Sequence, residues 1–342
     1  MSTEVTLAQA PFDDARADLI LQSSGHEPVH FRVSKFILSV ASPIFADMFN
    51  IPPPPASQSP HDEIQVVPVS EDSETLDLSL RHIYPIWSPT VTQLSQMRIL
   101  AEFAHKYQVD ALEQDVSRYL MDAIDGDPIG VYVIAVSYGY KSVGKRAAQR
   151  SLKLPFSRLQ SPHVQHAPAE LYGELLMYHA SCGEVAGAVA SERSWFSSLG
   201  NARKFIHTSP GRVGANVCKE CITCDTLGVT QEQPHNARCV LGTGSSERGL
   251  ISRTRPSVSK QHYGPRSLWN YLYRSVVVLA RHPTADAINT EDFIFKEFNC
   301  ANCSPNTRPD MLEVSRVFGT EIDKAVRKVG GLLVLWLRVG VV

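Results

Sequence analysis

Residues 18–49 read DLILQSSGHEPVHFRVSKFILSVASPIFADMF, and their pattern indicates two strands followed by two short helices. It begins with a short apolar run that is closed by a turn at Gly25, and residues 28–33 then alternate apolar and polar side chains. Alternation with period two is typical of a half-buried strand, so the two runs predict a β-hairpin. From Lys35 the apolar spacing becomes helical, and Pro43 marks the point where one short helix gives way to a second.

The chain on the C-terminal side of this stretch adds one strand and several helices. Residues 63–69 predict a third strand, whose Pro68 favours an edge position. Helical spacing over 76–83 predicts one helix, and the clear periodicity of 91–124 predicts two amphipathic helices with a break near 108–110. Further helices are predicted at 131–152, beginning after Asp127-Pro128, and at 171–178, 268–279 and 311–329.

Charge is divided unevenly along the 342 residues. Residues 1–130 hold 7 Lys and Arg against 19 Asp and Glu, whereas the whole chain has a formal net charge of only −2. The first part therefore repels phosphate backbones, and the basic excess of the second part is scattered, so we do not expect nucleic-acid binding. The longest apolar run, 332–342, is too short to span a bilayer, and we expect no membrane segment.

The order hairpin, two short helices, strand and helical array resembles that of a BTB/POZ domain. The matching residues are Asp18-Leu-Ile-Leu, Phe31, Lys35, Ile37-Leu38, Ser42, Phe45, Met48-Phe49 and Ile83-Tyr84-Pro85. One departure is Ser34, which stands where the family usually has His before the Lys. The resemblance implies an α+β fold in which a small sheet is flanked by helices.

The resemblance also divides the chain into four parts. We predict a flexible N-terminus at 1–13, a BTB/POZ domain at 14–125, a helical extension at 126–200, and a mostly α-helical, cysteine-containing region at 201–342. Within the last part, residues 225–267 are rich in Gly, Ser, Thr, Pro and Arg and predict an irregular loop.

The family implies a role in protein interaction rather than catalysis. It implies homodimerisation, or docking onto a partner such as a cullin of a ubiquitin ligase. In the family an Asp beside the first strand and a basic residue entering the next helix meet at the dimer interface, and Asp18 and Lys35 match these positions. The alternative for this pair is an ordinary surface ion pair, which contributes about 0–1 kcal/mol.

The second half resembles, more weakly, BTB proteins common in mushroom-forming fungi. In that group two Cys-x-x-Cys motifs flank a Trp/Tyr-rich helix, and a closing helix contains Ile-Asp-x-Ala. The corresponding residues here are Cys218/Cys221, Trp269–Tyr273, Cys300/Cys303 and Ile322–Ala325. The insertion 225–267 and the low-polarity end after Val329 depart from the group's pattern.

The two Cys-x-x-Cys pairs are the sharpest chemical feature of the sequence. A two-residue spacer lets both sulfurs of a turn reach one ion at about 2.3 Å, so two pairs supply a tetrahedral zinc. Cys218, Cys221, Cys300 and Cys303 form the first-choice set for a structural zinc, with Cys224 as an alternate ligand. Unligated or redox-active thiols remain the alternative.

We therefore expect a non-enzymatic interaction module. Two rival functions remain open: a BTB-containing transcriptional regulator, and a zinc- or thiol-dependent enzyme in the C-terminal region. The segment from Met1 to Ala10 has no secretory-signal pattern, so we expect an intracellular protein of the cytoplasm or nucleus.

Overall fold

The computed structural model describes residues 6–51, 64–192, 194–207, 213, 217, 219–224, 262–302 and 304–336. These residues divide into two compact units. The first unit takes in the described residues up to Ser151, residues 158–176 and residues 333–336, and the second takes in residues 152–157 and the described residues between 177 and 332. The domain boundaries predicted at 125 and 200 concern which parts of the chain fold independently, and these boundaries stay predictions.

The first unit contains a four-stranded sheet with the strand order β1-β3-β2-β4. The strands are β1 (Thr6–Leu7), β2 (Leu19–Gln22), β3 (Val29–Val33) and β4 (Gln65–Pro68). β2 and β3 form the predicted antiparallel hairpin, whereas β4 runs parallel to β2 along the sheet edge. The edge position agrees with Pro68, which has no amide hydrogen to donate to a further strand.

The N-terminal segment differs from its prediction. Residues 1–13 were expected to be flexible, but among the described residues of this segment Thr6 and Leu7 pair with β3. The ring of Phe12 is fully buried, and it packs edge-on against Tyr84 with ring centroids 5.3 Å apart. Residues 1–13 have no periodic pattern, so the sequence did not indicate that the ring of Phe12 anchors this segment.

Two short helices follow the hairpin, as predicted. They are α1 (Lys35–Ala41) and α2 (Pro43–Asn50). Ser42 separates them in an extended conformation, and its hydroxyl accepts a hydrogen bond from the amide of Phe45 at 3.1 Å. A serine cap followed by proline at the first helical position is a strong start signal, so α2 begins where the sequence indicated.

Three helices complete the part of the fold that carries the predicted BTB/POZ pattern. They are α3 (Ser73–Ile83), α4 (Leu94–Tyr107) and α5 (Asp110–Ala123). α4 ends at Gln108, whose left-handed backbone (φ 51°) produces the break expected near 108–110. The core here includes Phe45, which stacks on Tyr107 with ring centroids 4.4 Å apart.

The continuous helix predicted for 131–152 is wrong. The structure has two helices, α6 (Pro128–Ser137) and α7 (Lys141–Ser151). They are separated at Gly139, whose φ of +83° is a conformation that glycine adopts without steric cost. α6 is buried nearly all round, so its sequence lacks a polar face that would mark its end.

Helices dominate the described residues beyond 151. The main elements are α8 (Ala169–Ser191), β5 (Ile222–Cys224), β6 (Tyr263–Pro265), α9 (Arg266–Leu279), α10 (Glu291–Phe295) and α11 (Ser304–Trp336). β5 and β6 pair in antiparallel fashion. Of the predicted irregular loop 225–267, residues 225–261 lie outside the described residues. The end of that range is regular and not a loop, because residues 263–265 form β6 and residues 266–267 begin α9. None of the helices within the described ranges combines the length and the apolar character that a membrane span requires.

Candidate functional site

Helix α1 presents an apolar face to solvent. Phe36 and Val40 are 75% and 73% exposed, and their spacing of four residues places them on the same side of the helix. Leu38, in contrast, lies on the opposite, inward side of α1 and is fully buried. A short helix that packs one side chain inward and leaves two large apolar side chains outward has the form of a contact surface. We call Phe36 and Val40 the α1 face.

The start of α1 is fixed by two hydrogen bonds from other elements. The Asp18 carboxylate accepts from the backbone amide of Lys35 at 2.8 Å, and the hydroxyl of Tyr84 accepts from the amide of Ser34 at 2.7 Å. Burial raises the pKa of Tyr84, so its hydroxyl stays protonated. These bonds satisfy two of the amide groups that a helix start leaves without partners. The α1 face is therefore held in place before any partner binds.

The predicted interface residues Asp18 and Lys35 lie together, through a backbone contact. The Lys35 amide bonds to Asp18, while the Lys35 ammonium donates to the side-chain carbonyl of Gln65 at 2.9 Å. Asp18 thus acts within the chain as a remote cap of α1. Their part in a dimer interface stays a prediction, and the capping role of Tyr84 is one that the sequence analysis missed.

A second exposed apolar surface is centred on Trp87, which lies on the connection between α3 and α4. Trp87 is 93% exposed and lines an open depression of about 430 Å³ with Leu78. Glu74 and Asp77 add carboxylates to this depression, and Arg81 donates to Asp77 at 2.8 Å. The combination of an indole ring with acidic groups suits a partner segment that brings apolar and basic side chains. We call this depression the Trp87 surface.

The second unit brings two of the predicted zinc ligands to one cavity. Cys221 and Cys300 are both half-buried and both line a cavity of about 310 Å³. Cys218 and Cys303 lie outside the described residues, and Cys224 ends β5. Within the described part of the chain, no three His, Cys, Asp or Glu side chains are grouped to hold a metal.

The remaining described cysteine, Cys182, belongs to a different environment. It is fully buried in α8, and burial raises the pKa of its thiol to about 11. His179, one turn earlier, is also fully buried, and its Nε2 lies 3.1 Å from the carbonyl oxygen of Leu154. A protonated thiol and a buried histidine of lowered pKa make a poor nucleophile pair.

Comparison with known proteins identifies the first part of the chain. Residues 12–123 match the family model of the BTB/POZ domain, which covers about a third of the 342 residues. No curated protein matches the chain. The match agrees with the sheet and helices described above and confirms the α+β fold predicted from the sequence. BTB/POZ is a protein-interaction domain and not an enzyme family.

Proposed function

We propose that this chain, whose residues 12–123 form a BTB/POZ domain, is an adaptor that pairs with a second copy of itself through the α1 face. The observation that carries the proposal is the pair of exposed apolar side chains, Phe36 and Val40, on a helix whose start is already anchored. A two-fold axis beside α1 would bring the same patch of both copies together, which is the arrangement that closes a dimer.

The chemistry of the α1 face favours another copy over a charged ligand. Phe36 and Val40 offer no hydrogen bonds, so the face gains free energy only by excluding water from apolar area. Asp18 and the half-buried Lys35 lie at the start of the same helix and carry opposite charges. In a symmetric dimer, Asp18 of one copy can therefore face Lys35 of the other at the polar rim.

The adaptor role needs a second surface, and we propose the Trp87 surface for it. The partner we propose is the N-terminal region of a cullin, with the second unit of the chain recruiting the client. Trp87 is a side chain of the type that dominates protein interfaces, and it lies in the BTB/POZ domain but not on α1. A partner can thus bind there while the α1 face is covered by the second copy.

The test measures the mass of the full chain by light scattering after gel filtration, alone and with a cullin N-terminal region. We expect a dimer alone and a larger complex in the mixture. Phe36→Asp should give a folded monomer, whereas Trp87→Ala should stay a dimer and lose the cullin complex. A wild-type monomer would refute the dimer, and a dimer that ignores the cullin would refute the choice of partner.

A further inference from the structure

Two segments of the second unit dock on the same helix, α9, and each carries a cysteine. The first segment is β5, which follows Cys221 directly. The indole Nε1 of Trp269 donates to the carbonyl oxygen of Thr223 at 3.1 Å, so a side chain of α9 holds this strand. β6 leads into α9 and pairs with β5, with Gly264 opposite Thr223.

The second segment, 297–300, is held by Asn270, which follows Trp269 directly, and by Arg274, one turn further along α9. The carboxylate of Glu297 accepts from the amide nitrogen of Asn270 and, at 2.6 Å, from Arg274. Arg274 also donates to the carbonyl oxygen of Phe293 at 2.7 Å, which fixes the chain just before this segment. α9 therefore serves as a common platform for two segments that are far apart in sequence.

The platform brings the two cysteines into one cavity. Cys221 and Cys300 line the same space of about 310 Å³, and the chain around each is tied to α9. Arg266 also lines this cavity. Of the groups that line the cavity, the two thiols are the donors that a soft or borderline metal prefers, and the Glu297 carboxylate is already hydrogen-bonded to Asn270 and Arg274.

We infer that the second unit holds a structural zinc ion, with Cys221 and Cys300 as ligands from the two segments that α9 brings together. Each of the two cysteines is half of a Cys-x-x-Cys motif, so the sequence supplies a second sulfur to each side, from Cys218 and Cys303. Four thiolates at tetrahedral zinc leave no open position, which makes the ion a structural link between the segments and not a catalyst.

The proposed zinc ion involves only residues of the second unit and is independent of the proposed function of the BTB/POZ domain. Its physical consequence is that zinc would cross-link β5 and the segment 297–300. In the unfolded chain no preformed site exists, so the free energy of metal binding adds to the stability of this unit.

The experiment measures metal content of the full chain purified under reducing conditions with zinc present. We expect about one zinc per chain by inductively coupled plasma mass spectrometry. Replacement of zinc by Co²⁺ should give the thiolate-to-metal charge-transfer absorption of a sulfur-ligated tetrahedral ion. Cys221→Ser and Cys300→Ser should each lose the metal and this absorption, while Cys182→Ala should keep both.

Three results would overturn the inference. The first is a chain without metal under these conditions. The second is loss of zinc in Cys221→Ser but not in Cys300→Ser, which would confine the metal to the segment of Cys218, Cys221 and Cys224. The third is a disulfide between Cys221 and Cys300, found by peptide mapping after alkylation without reduction. Circular dichroism of each variant distinguishes loss of ligand from loss of fold.

Discussion

Replacing Phe36 with alanine should dissociate the proposed dimer with little effect on the folded monomer. The Phe36 side chain is 75% exposed in the single chain, and aromatic side chains bury roughly 150–250 Å² each, so about 150 Å² per copy can be covered. At about 25 cal/mol per Å², this area corresponds to about 3–4 kcal/mol per copy.

The symmetry of the dimer doubles the effect. Alanine retains a small part of the apolar area, and each dimer contains the substitution twice, so we expect a loss of about 4–6 kcal/mol in total. This loss corresponds to an increase of roughly 10³–10⁴-fold in the dissociation constant. Sedimentation velocity over a dilution series of the full chain measures the constant directly.

A matched control separates this interface from general surface hydrophobicity. Trp87→Ala also removes a large exposed aromatic side chain from the BTB/POZ domain, and it should leave the dissociation constant unchanged. Phe36→Ala should keep the circular dichroism spectrum of the wild type, because the ring contributes little to the core, and its thermal midpoint should fall only by the stabilisation that dimerisation itself adds. A well-folded Phe36→Ala variant that dimerises as tightly as the wild type would refute the reasoning.

Three further predictions concern capping, packing and protonation. Asp18→Ala removes the acceptor of the Lys35 amide and should lower the free energy of unfolding by about 1 kcal/mol. Lys35→Ala keeps that hydrogen bond and should lower the free energy of unfolding by less. Equal thermal midpoints of the two variants would contradict the capping role of Asp18. Gly183→Ala places a Cβ 2.6 Å from the carbonyl oxygen of Ala280 and should lower the free energy of unfolding by about 1–3 kcal/mol. The control is Gly173→Ala in the same helix, whose Cβ would meet nothing within 4 Å and which should be neutral or stabilising in chemical denaturation. Burial lowers the pKa of His179 below its ordinary value of 6.5, so the contribution of His179 to stability is complete above pH 6.5 and declines as the pH falls through the folded-state pKa. His179→Gln should therefore show a shallower fall of the thermal midpoint with falling pH than the wild type. An equally steep fall would exclude His179 as the source of the pH dependence.

The hairpin and the two short helices could be predicted because local signals agreed with the tertiary fold. Period-two alternation marked β3, and the pair Ser42-Pro43 both ended α1 and started α2. Where local signals were absent or misleading, prediction failed. The apolar pattern continues across Gly139, and α11 extends to Trp336 although Gly330-Gly331 is a typical helix end.

The candidate sites were predicted only in part, for related reasons. Five of the seven residues of α1 are apolar, so periodicity alone could not show that Leu38 faces inward while Phe36 and Val40 face solvent. The spacing of the cysteines indicated a metal site, but nothing local in the sequence indicated that Glu297 and Trp269 bring the two segments to one helix. Such long-range contacts depend on the tertiary fold.

The chain passes between the two compact units four times, and one of these passages occurs inside α8, between residues 176 and 177. No single cut can therefore release either unit whole. The first unit continues through α6 and α7 to Ser151, so a truncation before Pro128 would divide it, and a shortened chain for expression should keep both units.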